Sequence, residues 1–66
     1  MGNNRVADLR RDKGLTQEGL ARAADVTLNT IQRIESGFLP RVSTAQAIAK
    51  ALGVRLNDLF PDEVPA

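Results

Sequence analysis

The sequence contains no cysteine and no histidine. Their absence removes disulfide staples, thiolate and imidazole metal ligands, and the side chains that most often serve nucleophilic or general acid–base catalysis. The chain is therefore not expected to be an enzyme, and it implies no metal, no other cofactor and no small-molecule ligand. Long apolar runs are missing too. The most apolar stretch, AQAIAKALGV, is interrupted by Gln46 and Lys50 and falls well short of the roughly 18 residues that point to a membrane span. With no signal-peptide pattern either, the chain is expected in the cytoplasm with no membrane partner. No alternating run of β-branched or aromatic residues is long enough for a strand, and there is no internal repeat or low-complexity segment. What remains, at 66 residues, is one small domain, near the size that buries only about 60% of the surface its unfolded chain exposes.

Net charge is also scant, at +1, which taken alone argues against a nucleic-acid binder. Its distribution argues the other way. All nine basic residues lie between Arg5 and Arg55, while Asp58, Asp62 and Glu63 fall in the last nine positions; residues 1–57 carry nine positive and five negative charges, a net of +4. The acidic end can point away from a polyanion, although an ordinary solvated surface with an acidic tail has the same pattern.

The periodicity that is present is helical throughout. Asn3 or Asn4 can cap a first helix near Arg5 to Asp12, with Val6 and Leu9 inward and Gly14 as its end. Thr16 caps a second helix with Leu20, Ala21 and Ala24 on its apolar face and Glu18 and Arg22 paired outside. Thr27 caps a third that runs to Ser36, with Ile31 and Ile34 inward, Gly37 as a left-handed stop and Phe38 folding back onto the last turn. Ser43 and Gln46 fit a capping box ahead of Ala45, Ile48, Ala49 and Leu52, the buried stripe of a fourth helix that Gly53 closes. A short turn from about Leu56 to Phe60 can cover the base of the core, and fraying is expected from Pro61 onward. The fold class this predicts is all-α: five helices with short loops and a core within residues 5–60.

The specific feature is the join between helices two and three. It leaves room only for a turn at about Ala24 to Val26, and Leu20, Ala24, Val26, Ile31 and Ile34 form one apolar surface across it. Ala21 is small where the two helices must cross. This is a helix-turn-helix pattern, in which the first helix braces a second that is presented to a DNA major groove. With GLTQEGLA, TIQRIESG and IAKALGVRLNDLF at their observed spacings, the chain from about Arg5 to Phe60 resembles the phage repressor and Cro type of helix-turn-helix domain, the XRE family. The resemblance implies a lambda-repressor-like five-helix fold with helices two and three as the DNA-reading pair. Three residues depart from the family pattern: Asp25 at a turn position often held by glycine, Gly19 inside helix two, and Arg55 where a small hydroxyl residue commonly precedes the last helix.

On a helical wheel of helix three, Asn29, Gln32, Arg33 and Ser36 fall opposite Ile31 and Ile34. All four can donate hydrogen bonds and none is acidic. Arginine can grip guanine through O6 and N7, asparagine or glutamine can grip adenine through N6 and N7, and Leu28 can pack on a thymine methyl. Base readout is therefore assigned to Leu28, Asn29, Gln32 and Arg33. The resemblance implies a phosphate contact at Gln17, where the amides of a helix start also favour an anion. Thr27, Ser36 and Arg41 complete the backbone-contacting set. Glu35 flanks the buried face and needs a cation, and Arg10 stands one turn after Val6; wheel and resemblance together point to a structural ion pair.

Two functional classes stay open. One is a sequence-specific double-stranded DNA-binding transcriptional regulator, most simply a repressor; the other is a protein-interaction module that keeps the fold without specific DNA binding. One reading helix covers only about four or five base pairs, so a homodimer on a palindromic operator is expected. Its contact surface is assigned to Leu39, Val42, Leu56, Leu59 and Phe60, since so small a core is not expected to bury them all.

Overall fold

The structure, a computed structural model, describes residues 4–61. Within them the chain forms α1 (Val6–Asp12), α2 (Gln17–Ala24), α3 (Leu28–Glu35), α4 (Val42–Leu52) and α5 (Leu56–Leu59), with no strand among the described residues. The four longer helices stop by one device. Gly14, Asp25, Gly37 and Gly53 take positive φ angles of 72°, 57°, 113° and 69°. The amide of the next residue then reaches back five positions: Leu15 to Arg10, Val26 to Ala21, Phe38 to Arg33 and Val54 to Ala49, at 3.1, 2.9, 3.0 and 3.0 Å. This Schellman closure satisfies carbonyls that a helix end would otherwise leave unpaired. The residue after the stop is apolar each time. Leu15, Val26 and Val54 pack against the core, whereas Phe38 stays half exposed. Asp25 is the one described non-glycine with positive φ, a conformation that aspartate tolerates better than most L residues.

Helix starts follow the sequence less uniformly. Thr16 Oγ1 accepts from the Gly19 amide at 2.9 Å, and Thr27 Oγ1 accepts from the Thr30 amide at 3.1 Å. Asn3 lies outside the described residues. Asn4 acts one position before the N-cap, Arg5: its Oδ1 accepts from Val6 N–H at 3.1 Å while its Nδ2 donates to the Ile34 carbonyl at 2.8 Å. One amide thus ties the first turn of α1 to the last turn of α3. The capping box expected at Ser43 and Gln46 does not form. Arg41 occupies the cap position without a side-chain cap, and Ala45 N–H already bonds Arg41 O at 3.0 Å. Starting the helix before Ser43 adds backbone hydrogen bonds, which outweigh a single hydroxyl cap. At α5 the capping atom comes from the other side of the junction: Asp58 Oδ2 accepts from Arg55 N–H at 2.9 Å.

These ends set the packing. α2 lies against both α3 and α4, α5 closes on α4, and α1 rests on α3. Val6, Leu20, Ile31, Ile34, Ile48, Leu52, Leu59 and Phe60 are fully buried, and Ala21, Ala24, Ala45 and Ala49 fill the close approaches between helices. Arg5 N–H donates to Leu59 O at 2.8 Å, drawing the end of α5 to the start of α1. Leu59 and Phe60, 0% and 2% exposed, are consequently core residues, which corrects their assignment to a dimer surface. Leu56 is partly buried against the same core. The fraying expected beyond Pro61, and the acidic Asp62 and Glu63, lie outside the described residues. No helix among the described residues is long and apolar enough to cross a membrane.

Candidate nucleic-acid interface

α3 turns Ile31 and Ile34 fully into the core and leaves Asn29, Gln32, Arg33 and Ser36 exposed. Its one acid, Glu35, is held inward. Arg10 Nε donates to Glu35 Oε2 at 2.7 Å and its Nη2 to Oε1 at 3.2 Å, with the two side chains only 11% and 9% exposed. The third corner of the guanidinium, Nη1, donates to the Leu15 carbonyl at 2.8 Å. Every nitrogen of Arg10 is thereby engaged. Burial pushes the Glu35 carboxyl up, but hydrogen bonds from Arg10 and Gln17 and the charges of Arg10 and Arg11 outweigh it, leaving the group below its ordinary value. The outward face of α3 consequently carries donors and one cation, with no carboxylate.

Gln17, assigned to a phosphate, sits at the first position of α2 and donates through Nε2 to Glu35 Oε1 at 3.1 Å. A side-chain amide has two N–H groups, so one remains for an outside acceptor. Thr27 Oγ1 pairs with Thr30 Oγ1 at 2.8 Å besides capping α3. The Ser36 hydroxyl donates to the Arg33 carbonyl at 2.7 Å; its proton is committed within the helix, so a phosphate contact there requires that bond to break. Leu28 is half-buried, on the wall of an open hollow of about 260 Å³ shared with Glu18, Ala21, Arg22 and Val26. Arg41 is exposed and lines a second hollow of about 250 Å³ with Thr30, Arg33, Ile34, Phe38, Pro40 and Thr44. Two arginines and two threonine hydroxyls border that hollow, and no acid does. Among the described residues no group of acidic side chains converges where a metal ion could be held.

The residue that sequence reasoning leaves out of the interface is Phe38. The Arg33 guanidinium carbon stands 4.3 Å from the centroid of its ring. Its folding back onto the last turn of α3 was legible from its place after a left-handed stop; that it meets an arginine there, as a ring beneath a cation, is what the structure adds. Apolar exposure is concentrated beside it, in Phe38, Leu39 and Val42 at 50%, 56% and 63%.

A family model described as helix-turn-helix matches residues 6–59. The chain is 36% identical over 58 residues to YgzD of Bacillus subtilis, covering 86% of this chain and 88% of that protein. It is 40% identical over 57 residues to a protein of Methanothermobacter thermautotrophicus, covering 83% of each. A protein of Methanocaldococcus jannaschii is 40% identical over 58 residues, covering 86% of this chain and 88% of its own length. All three bear the name of uncharacterized HTH-type transcriptional regulators.

Proposed function

Because the chain belongs to the helix-turn-helix family of XRE type, we propose that it is a cytoplasmic, sequence-specific regulator of transcription, a repressor that sets α3 into the major groove of double-stranded DNA. The observation that carries this is the chemistry of α3: its only acid is drawn inward onto Arg10 and Gln17, and what it presents outward is Asn29, Gln32, Arg33 and Ser36. A surface with donors and a cation suits a groove of base acceptors flanked by phosphates. Asn29, Gln32 and Arg33 read base edges, Leu28 meets a thymine methyl from the start of the helix, and the free N–H of Gln17, with Thr27 and Arg41, holds the backbone. The working form is a two-fold homodimer, which places two reading helices about 34 Å apart on a palindromic site. With Leu59 and Phe60 in the core, the dimer contact falls to Leu39 and Val42, with Leu56 at its edge.

Selection from a random duplex library tests this reading, followed by salt titration on the selected duplex. A palindromic site and a steep loss of affinity with salt are expected. Arg33→Ala and Asn29→Ala should each relax preference at particular base pairs by about 1–3 kcal/mol, whereas Gln17→Ala should weaken all sequences alike. No selected site, together with a shallow salt dependence, would transfer the chain to the protein-interaction class.

A further inference from the structure

We infer that Phe38 is a positioning residue for sequence readout, a platform that holds the Arg33 guanidinium while leaving all its hydrogen-bond donors free; the inference rests on the proposal that α3 reads DNA. Two arginines of this chain are immobilised in opposite ways. Arg10 is fixed through its nitrogens, all three of which donate to Glu35 or to the Leu15 carbonyl. Arg33 is held by a cation–ring contact instead. Its guanidinium lies over the Phe38 ring at 4.3 Å, and no acceptor among the described residues takes its side-chain N–H groups. A cation over an aromatic face is attracted by the ring quadrupole and uses no donor, so the N–H fork of Arg33 stays available for bidentate recognition of guanine.

The backbone explains why the ring is available. Phe38 occupies the position after a left-handed stop, and the equivalent residues of the other three stops, Leu15, Val26 and Val54, pack against the core. Phe38 is 50% exposed instead. Its amide bonds the carbonyl of Arg33 itself at 3.0 Å, so the turn that ends α3 also brings ring and arginine together. Arg33 is thereby ordered before DNA arrives, and less rotamer entropy remains to be lost on binding.

The experiment compares wild type, Phe38→Leu, Phe38→Ala and Phe38→Trp on the selected duplex and on duplexes altered at the base pair that Arg33→Ala identifies. Leucine keeps apolar bulk without a π face; tryptophan keeps the face. Discrimination at that base pair should fall about two- to fivefold in the leucine and alanine variants and persist in the tryptophan variant. None of these changes should matter once Arg33 is alanine. In the free protein, proton NMR should show a ring-current shift on the Arg33 δ-methylene that Phe38→Leu abolishes. The inference is overturned if Phe38→Leu discriminates like wild type, or if Phe38→Ala weakens binding equally in the Arg33→Ala background, which would make Phe38 a direct contact. If wild type selects no duplex, the DNA-reading proposal fails and the inference with it; that outcome is told apart because the ring-current shift would still be present.

Discussion

Replacing Arg10 by methionine should be among the most damaging single changes in this chain. The substitution keeps an apolar stem of similar reach and removes three hydrogen bonds, two to Glu35 and one to the Leu15 carbonyl. It strands a carboxylate that is only 9% exposed, with Gln17 as its remaining side-chain donor. Breaking a buried pair from one side costs about 3–5 kcal/mol; the surviving Gln17 bond puts the expectation near the lower figure. A domain of 66 residues has about 3–10 kcal/mol in total, so Arg10→Met should remove at least about a third of it and shift the urea midpoint down accordingly. Glu35→Gln is milder, about 1.5–3 kcal/mol, because an amide oxygen still accepts from Arg10. Urea denaturation followed by far-UV circular dichroism measures both and the double variant. The double should lose less than the sum of the singles by at least about 1.5 kcal/mol; losses that add would refute an energetic link between the two side chains.

The same pair gives a pH signature. Glu35 has a lowered pKa when folded, so the unfolded chain binds more protons in the acid range. The stability it confers is therefore fully present above the ordinary glutamate value and is lost as pH falls through the folded value. Glu35→Gln should flatten that part of the acid limb, and parallel curves for wild type and variant would remove Glu35 as its source.

Asp25→Gly should raise stability by up to about 1 kcal/mol, since glycine takes the left-handed turn without steric cost; a thermal melt should move up by about 4–8 °C per kcal/mol in a domain of this size, and Asp25→Ala should move it down. Thr16→Ala should cost about 1 kcal/mol by removing the α2 cap, while Ser43→Ala, inside the first turn of α4, should stay within about 0.5 kcal/mol of wild type; equal losses would restore Ser43 as a cap. The double substitution Leu39→Ser with Val42→Ser should leave the melting temperature of the free protein nearly unchanged and reduce two proteins per selected duplex to one in sedimentation, whereas Phe60→Ser should unfold the chain.

The fold was legible because its determinants are local. Ile31 with Ile34, and Ala45, Ile48, Ala49 and Leu52, follow the helical period and are all buried, and the positive-φ stops announce themselves as Gly14, Gly37 and Gly53. Where the sequence misled, a competing backbone hydrogen bond was decisive. Ser43 and Gln46 carry a sound capping pattern, yet earlier backbone hydrogen bonds extend α4 past it. Leu59 and Phe60 looked surplus to a small core, but both are buried in it, where the backbone bond from Arg5 to Leu59 ties the end of α5 to the start of α1. Of the site residues, the periodicity of α3 sorted inward from outward side chains. It could not show that Gln17 shares the Glu35 carboxylate, because that contact depends on how α2 and α3 are set in space; the fold-back of Phe38 is local to the end of α3 and was expected, with Arg33 as its partner added by the structure.

The distribution of those contacts bears on how the candidate reading helix is aimed. The N-terminal half of α3 is held by the Thr27 cap and by Ile31, a local hydrogen bond and an apolar side chain with little directional preference. Its last turn is held by directional bonds from two other segments: Asn4 to the Ile34 carbonyl, and Arg10 and Gln17 to the Glu35 carboxylate. Apolar packing fixes how deeply a helix sits but permits it to rotate or slide, whereas charge-assisted hydrogen bonds fix angle and register. The tilt of α3 is accordingly set at Ile34 and Glu35, one to two residues after Arg33, so the side chain proposed to read guanine lies next to the anchored end of its helix. Asn29, a turn further from that anchor, has more freedom to adjust to the groove.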